Sequence, residues 1–182
     1  MPWHTYYLWA ALALLLIEFM HFLFQRKLKD PRTLLLYAMM ITAFLLCAGG
    51  ILITFKLNHR QANSPVTILA TNIVYLCQLI LPYSFFCLIH LHITPEFDRT
   101  MQLMLIPFGI CVCFVLSNPF TGLIGHSKAD GLWHVGSCYP YFIDLILIWY
   151  IFNLFYIIKK RKYLKKQYIP LSEIVILLIA GT

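Results

Sequence analysis

The sequence predicts an all-α polytopic membrane protein with five complete transmembrane helices and a partial sixth. The N-terminus is expected outside, with a short β-hairpin in the outer loop between the fourth and fifth helices. Three observations carry this. Of 182 residues, 61% are hydrophobic and 12% charged, whereas a soluble domain carries roughly 25% charged residues. The apolar residues gather into runs of about the 20 residues that cross ~30 Å of hydrocarbon. The basic residues gather in alternate connections between those runs.

In order, the runs lie at about 6–24, 33–55, 66–91, 101–116, 141–158 and 169–182. The first is expected to persist as a helix rather than be removed as a signal peptide. No basic region precedes it, its apolar core is too long, and it holds Glu18 and His21. The sixth stops after about 14 residues, which at 1.5 Å each reach only ~21 Å. The chain therefore reads as a single membrane domain, 1–182, that ends within a helix.

Orientation follows from charge. With the N-terminus outside, the inner connections hold Arg26, Lys27, Lys29, Arg32, Arg99, Lys159, Lys160, Arg161, Lys162, Lys165 and Lys166, which is 11 of the 14 basic residues. Lys56, Arg60 and Lys128 fall outside. The excess of Lys and Arg on the cytoplasmic side favours this arrangement. It also accounts for the net charge of +7 without a nucleic-acid partner. The run KKRKYLKKQ reads as a topology anchor on anionic membrane lipid.

The outer loop 118–140, NPFTGLIGHSKADGLWHVGSCYP, is polar and glycine-rich in a chain of Leu, Ile, Phe and Tyr. Asp130 and Gly131 between two part-apolar stretches signal a β-hairpin. A two-residue Asp-Gly turn places His126 and His134 on opposite faces, whereas a three-residue Ala-Asp-Gly loop places them directly across from each other. Both registers fit the sequence. Trp133 suits either the headgroup level or a lid over the helix ends. Trp133, His126, His134 and Asp130 are the candidate sensing residues. Facing histidines would respond to mildly acid pH or to a transition metal. A structured cap with merely exposed histidines is the simpler alternative.

Proline and asparagine mark the helices. Pro119 fixes its own φ, lacks an amide hydrogen and disfavours helical geometry at Asn118, so the fourth helix is expected to end there, with Asn118 capping or turning the chain. Pro82 and Pro107 lie inside apolar runs and are expected to kink the third and fourth helices and open room between them.

Ionisable residues within the runs are Glu18, His21, Asp144 and Glu173. Groups of this kind usually face the bundle interior with a partner. All four lie near a boundary rather than at the midplane, which disfavours a proton relay. Cys111 and Cys113 diverge by about 200° on a helix, so neither a disulfide nor a shared metal is expected from them. Cys47, Cys77 and Cys87 read as small apolar residues. His90 and His92 mark the inner end of the third helix. No phosphate loop, nucleophile triad or HExxH pattern is present. No catalytic residue, cofactor or metal-ligand set is assigned.

Three stretches together are similar to a known family: NIVYLCQLILP in the third run, LIPFGICVCFVLSNPFTGLI across the fourth, and a D-G-x-W-x-x-G hairpin leading into an aromatic fifth. The chain resembles the N-terminal multi-helix membrane sensor region of bacterial GGDEF-type diguanylate cyclases and related membrane histidine kinases. Asn72, Tyr75, Pro82, Pro107, Asn118, Pro119, Phe120, Thr121 and Gly122 match that pattern, and Asp130, Gly131, Trp133 and Gly136 fit its hairpin. Val135 and Ser137 depart from it, where the family often has a basic residue and a proline. An anionic signal bound through that basic residue in relatives would therefore not carry over.

The resemblance implies a multi-pass protein of the bacterial cytoplasmic (inner) membrane. It would be a homodimer that takes an unknown small-molecule or ion signal and controls a cytoplasmic cyclase or kinase domain following the segment. The alternative from another class is a small transporter or substrate-binding membrane protein, with a cavity at kinked helices 3 and 4. No internal repeat of the kind common in transporters is evident. A membrane enzyme ranks last.

Overall fold

A computed structural model describes residues 9–11, 13, 14, 16, 17, 31–94, 98–128 and 131–164. Four helices within it are long and apolar enough to cross a membrane. They are α1 (Pro31–Asn58), α2 (Pro65–Ile93), α3 (Arg99–Thr121) and α4 (Tyr139–Leu164), with strands β1 (Gly125–Ser127) and β2 (Trp133–Val135) between α3 and α4. These helices are the second to fifth apolar runs. The described positions between Trp9 and Ile17 are helical. The rest of the first run, with Glu18 and His21, and the sixth run, with Glu173, lie outside the described residues.

Each helix is longer than its apolar run because its ends carry their own signals. Pro31 opens α1, Pro65 opens α2, and Pro140 stands in the first turn of α4, positions where a missing amide hydrogen costs nothing. Asp98 caps α3, its Oδ1 accepting from the amides of Thr100 (2.9 Å) and Met101 (3.1 Å). At 1.5 Å per residue, helices of 23 to 29 residues span about 34–44 Å, enough to cross the ~30 Å hydrocarbon layer.

The fourth run corrects an expectation. Helix α3 runs through both Asn118 and Pro119 and stops at Gly122, which adopts φ 65° and donates its amide to the Asn118 carbonyl at 2.7 Å. Pro119 sits in the last turn, where its lost hydrogen bond leaves only one carbonyl of an already fraying end without a partner. The left-handed glycine is what ends the helix. Pro82 and Pro107 likewise stand inside unbroken helices.

The core is organised around α2, which packs against the other three helices. In its most apolar window 67% of residues are buried, against 17% in α1 and α3. Gly49 of α1 makes close approach possible, since a Cβ there would fall 2.6 Å from a Val74 methyl. Buried Tyr75, Leu79, Phe85 and Ile89 of α2 meet Cys111 and Val115 of α3 and Phe142, Ile146, Tyr150 and Ile157 of α4. Asn153, fully buried on α4, donates its amide to the Pro82 carbonyl at 2.9 Å. Asp144 is exposed near the start of α4. It does not face the bundle interior, because the buried stripe of that helix runs through Phe142, Ile146, Trp149 and Tyr150 instead.

Away from the hairpin, a polar junction ties three helix ends. His90, buried on α2, has Nδ1 2.6 Å from the Tyr156 hydroxyl of α4 and Nε2 3.0 Å from Asp98 Oδ1. The second approach lies within ion-pair distance but does not make a hydrogen bond. Partial desolvation pushes the Asp98 carboxyl up. The Met101 amide, the His90 ring and the Thr100 groups outweigh it and hold the carboxyl below its ordinary range. A depressed carboxylate contributes stability above its unfolded pKa and loses it as pH falls through the folded value. Asp98→Asn should therefore lower the melting temperature in detergent at neutral pH. The gap from the parent should close only below the ordinary carboxylate range. A gap independent of pH down to strong acid would show that the carboxylate charge contributes nothing.

Candidate functional site

The hairpin is the one sizeable non-helical structure among the described residues, and its register decides what it presents. Gly125 pairs with Val135, His126 with His134 and Ser127 with Trp133. Lys128 and Leu132 flank a three-residue connection. It is closed by the Gly131 amide donating to the Lys128 carbonyl at 3.0 Å and the Lys128 amide donating to that of Leu132 at 3.2 Å. Gly131 has φ 74°. This is the three-residue loop with a left-handed glycine, so the two histidines stand directly across from each other. Asp130 lies outside the described residues.

Both ends of the hairpin are fastened. At its base, Asn118 is buried to 1% exposure. Its Oδ1 accepts from the amides of Ile124 (2.8 Å) and Gly125 (3.1 Å), and its Nδ2 donates to the Gly125 carbonyl and to Asn72 Oδ1, each at 3.2 Å. Asn72 in turn donates to the Ile68 carbonyl at 2.7 Å. At its tip, the Gly131 carbonyl accepts from the Ala62 amide at 3.1 Å. A Cβ on Gly131 would fall 2.3 Å from the Arg60 carbonyl oxygen. The hairpin thus reaches from the end of α3 across to the α1–α2 connection. Gly136 allows the return strand to pass, since a Cβ there would meet the Leu123 carbonyl oxygen at 2.2 Å.

Alternation along the strands separates the candidate sensing residues. Gly125, Ser127 and Trp133 share one face, and His126 and His134 share the other. The indole lies over Gly125, where a Cβ would fall 2.7 Å from its ring nitrogen. The ring also packs against the core cluster that holds buried Tyr75. Tyr75 packs edge-on against Phe142 at 5.2 Å between centroids. Trp133 is therefore a strut between lid and bundle, apart from the histidines.

At this end lies a cavity of about 140 Å³ lined by Ile68, Asn72, Asn118, Pro119, Gly125, His126, Ser127 and Trp133. Asn118 has all four of its hydrogen-bonding positions in use. Asn72 keeps one N–H, and the half-buried Ser127 hydroxyl makes no hydrogen bond among the described residues. Both are available to a ligand. No Asp, Glu, Lys or Arg lines it, so the cavity suits a small polar molecule without strong charge.

The other residues singled out by sequence sit around this centre without joining it. Phe120 is 92% exposed at the end of α3, and the Thr121 hydroxyl donates to the Ser117 carbonyl at 3.1 Å. Pro107 lines a separate apolar groove of about 270 Å³ with Cys111 of α3 and Leu145, Trp149 and Phe152 of α4. That groove lies between the fourth and fifth runs. Pro82 is buried and does not line it, and its carbonyl accepts from Asn153. Sequence reasoning missed Ile68, Ser127 and Asn153. Ile68 and Asn72 are one helical turn apart, a spacing that could have pointed to a shared face.

No protein-family model matches the chain, and no curated protein or solved structure is detectably similar to it.

Replacing Asn118 by Leu leaves two buried amides without an acceptor, at about 1–3 kcal/mol each. Hydrogen exchange at Ile124 and Gly125 should accelerate at least about tenfold, the equivalent of ~1.4 kcal/mol. The helix core around Leu79 should keep its protection. Unchanged exchange at both amides would mean that strand pairing alone holds the hairpin base.

Proposed function

We propose that the chain is a membrane-embedded signal-input module whose hairpin lid and underlying cavity take a small polar ligand. The observation that carries this is the cavity itself. It is a partly open hollow under a lid fastened at both ends, and it keeps two free polar groups beside an aromatic wall, the usual composition of a small-molecule site. A volume near 140 Å³ admits a molecule of about six heavy atoms, by comparison with dry cavities that hold benzene. The ligand would favour one arrangement of lid and helices and shift the population by its difference in affinity between them.

The orientation that goes with this reading puts the hairpin outside. Lys159, Lys160, Arg161 and Lys162 close α4 at the end away from the hairpin, and Arg32 and Arg99 open α1 and α3 at that same end. The bias toward basic residues on the cytoplasmic side supports it. The output would be a cytoplasmic diguanylate cyclase or histidine kinase domain, as the family resemblance implies, in a homodimer of the bacterial inner membrane. The Pro107 groove favours a second reading, a transporter or lipid-binding protein. It is weaker, because the groove is almost wholly apolar and its lining shares no residue with the cavity under the hairpin.

Cysteine labelling checks the orientation: native Cys138 should react from outside intact cells, and Lys162→Cys only after permeabilisation. The reverse pattern inverts the assignment. For function, the segment is joined in frame to a cyclase domain, and output is measured across a panel of small polar solutes. Ile68→Phe, which fills the cavity without removing a hydrogen bond, should abolish the response that the parent shows. A variant that responds like the parent would move the input elsewhere, with the Pro107 groove the next place to test.

A further inference from the structure

The face of the hairpin turned away from Trp133 carries a second constellation, of which His126 also borders the cavity. His126 and His134 are paired across the strands, with ring centroids 6.1 Å apart and planes inclined by 24°. His126 is exposed and His134 half-exposed, so an ion reaches them from solvent without passing through the bundle. We propose that this pair is a two-histidine anchor for a divalent transition-metal ion of the zinc, copper or nickel class, bound between the two strands.

The strand geometry favours it. Lys128 donates to the Leu132 carbonyl at 3.2 Å on one side of the pair, and Gly136 donates to the Ile124 carbonyl at 2.9 Å on the other. The two Cα positions are thus held in register before any ion arrives. Two imidazoles on one tetrahedral ion at metal–nitrogen distances of about 2.0–2.1 Å bring their centroids to about 5 Å apart. The observed 6.1 Å leaves an approach of about 1 Å to be made by the side chains. Neutral imidazole nitrogen suits zinc, copper and nickel, whereas calcium and magnesium require oxygen ligands.

Among the described residues no third His, Cys, Asp or Glu joins the pair. Two imidazoles alone leave the other coordination positions open to water or to a further ligand. Bridging β1 to β2 would staple the lid at mid-length, between its fastened base and tip. That consequence rests on the lid reading above, but metal binding itself does not.

The test uses the full chain in lipid nanodiscs with any purification tag removed. Cys138→Ser and His59→Ala serve as the common background, because they remove the other His and Cys at the hairpin end among the described residues. Copper and zinc are titrated calorimetrically, and the copper-bound form is read by electron paramagnetic resonance. The expected result is one ion per chain with two imidazole nitrogens in the copper spectrum. His126→Ala and His134→Ala should each weaken binding at least tenfold, and the double variant should bind no more tightly than either single one. Either single substitution leaving affinity within twofold, or a one-imidazole spectrum, overturns the site. Zinc should also slow hydrogen exchange at Lys128 and Gly136, and binding without slowing overturns the staple. Ile68→Phe should leave metal binding unchanged, so a failed cavity and a failed metal site give different results.

Discussion

Asn118 is the point on which the hairpin end depends. One buried amide holds two consecutive backbone amides and one carbonyl at the hairpin base, and the same group bonds to Asn72 of α2. A buried amide without partners costs roughly 2–7 kcal/mol, so each of these contacts constrains where the others can be. The left-handed Gly122 turns the chain back within four residues of Asn118, which is why the side chain can reach Ile124 and Gly125 at all. Cavity, lid and α2 are thereby positioned by a single residue in the last turn of α3.

The central helix carries that constraint along its length. Near the hairpin α2 meets α3 through Asn72, in its middle it meets α4 through the Pro82 carbonyl and Asn153, and at the far end it meets both through His90. In an apolar bundle these three polar contacts are the directional ones, since packing against lipid-like neighbours discriminates poorly among rotations. A change of lid position therefore has a rigid element through which to act.

Alternation in the strands gives the hairpin two independent surfaces. Its inner face uses Gly125 to admit the Trp133 ring and lean it on the core cluster that holds Tyr75, and its outer face offers the histidine pair to solvent. A shift of one residue in register would exchange these roles. Docking of Gly131 onto the Arg60 carbonyl guards against that shift, because only the observed loop brings a residue without a side chain to that contact.

The sequence by itself determined the membrane character, the approximate position of each described helix and the presence of a hairpin at the Asp-Gly signal. These follow from composition, run length and local turn chemistry, all of which act between near neighbours in the chain. It also pointed to Asn118, but for the wrong task. Rules for the residue before proline foresee a helix end, whereas a last-turn proline is tolerated and a distant set of amides takes the asparagine side chain. The choice between two hairpin registers was open in sequence and was decided by the loop's contact with residues 60–62. The partition of Trp133 from the histidines, the cavity beside Ile68 and the Asn153 bond to Pro82 belong to tertiary structure alone. Each joins residues far apart in the chain, and only the packing of α2 among its neighbours brings them together.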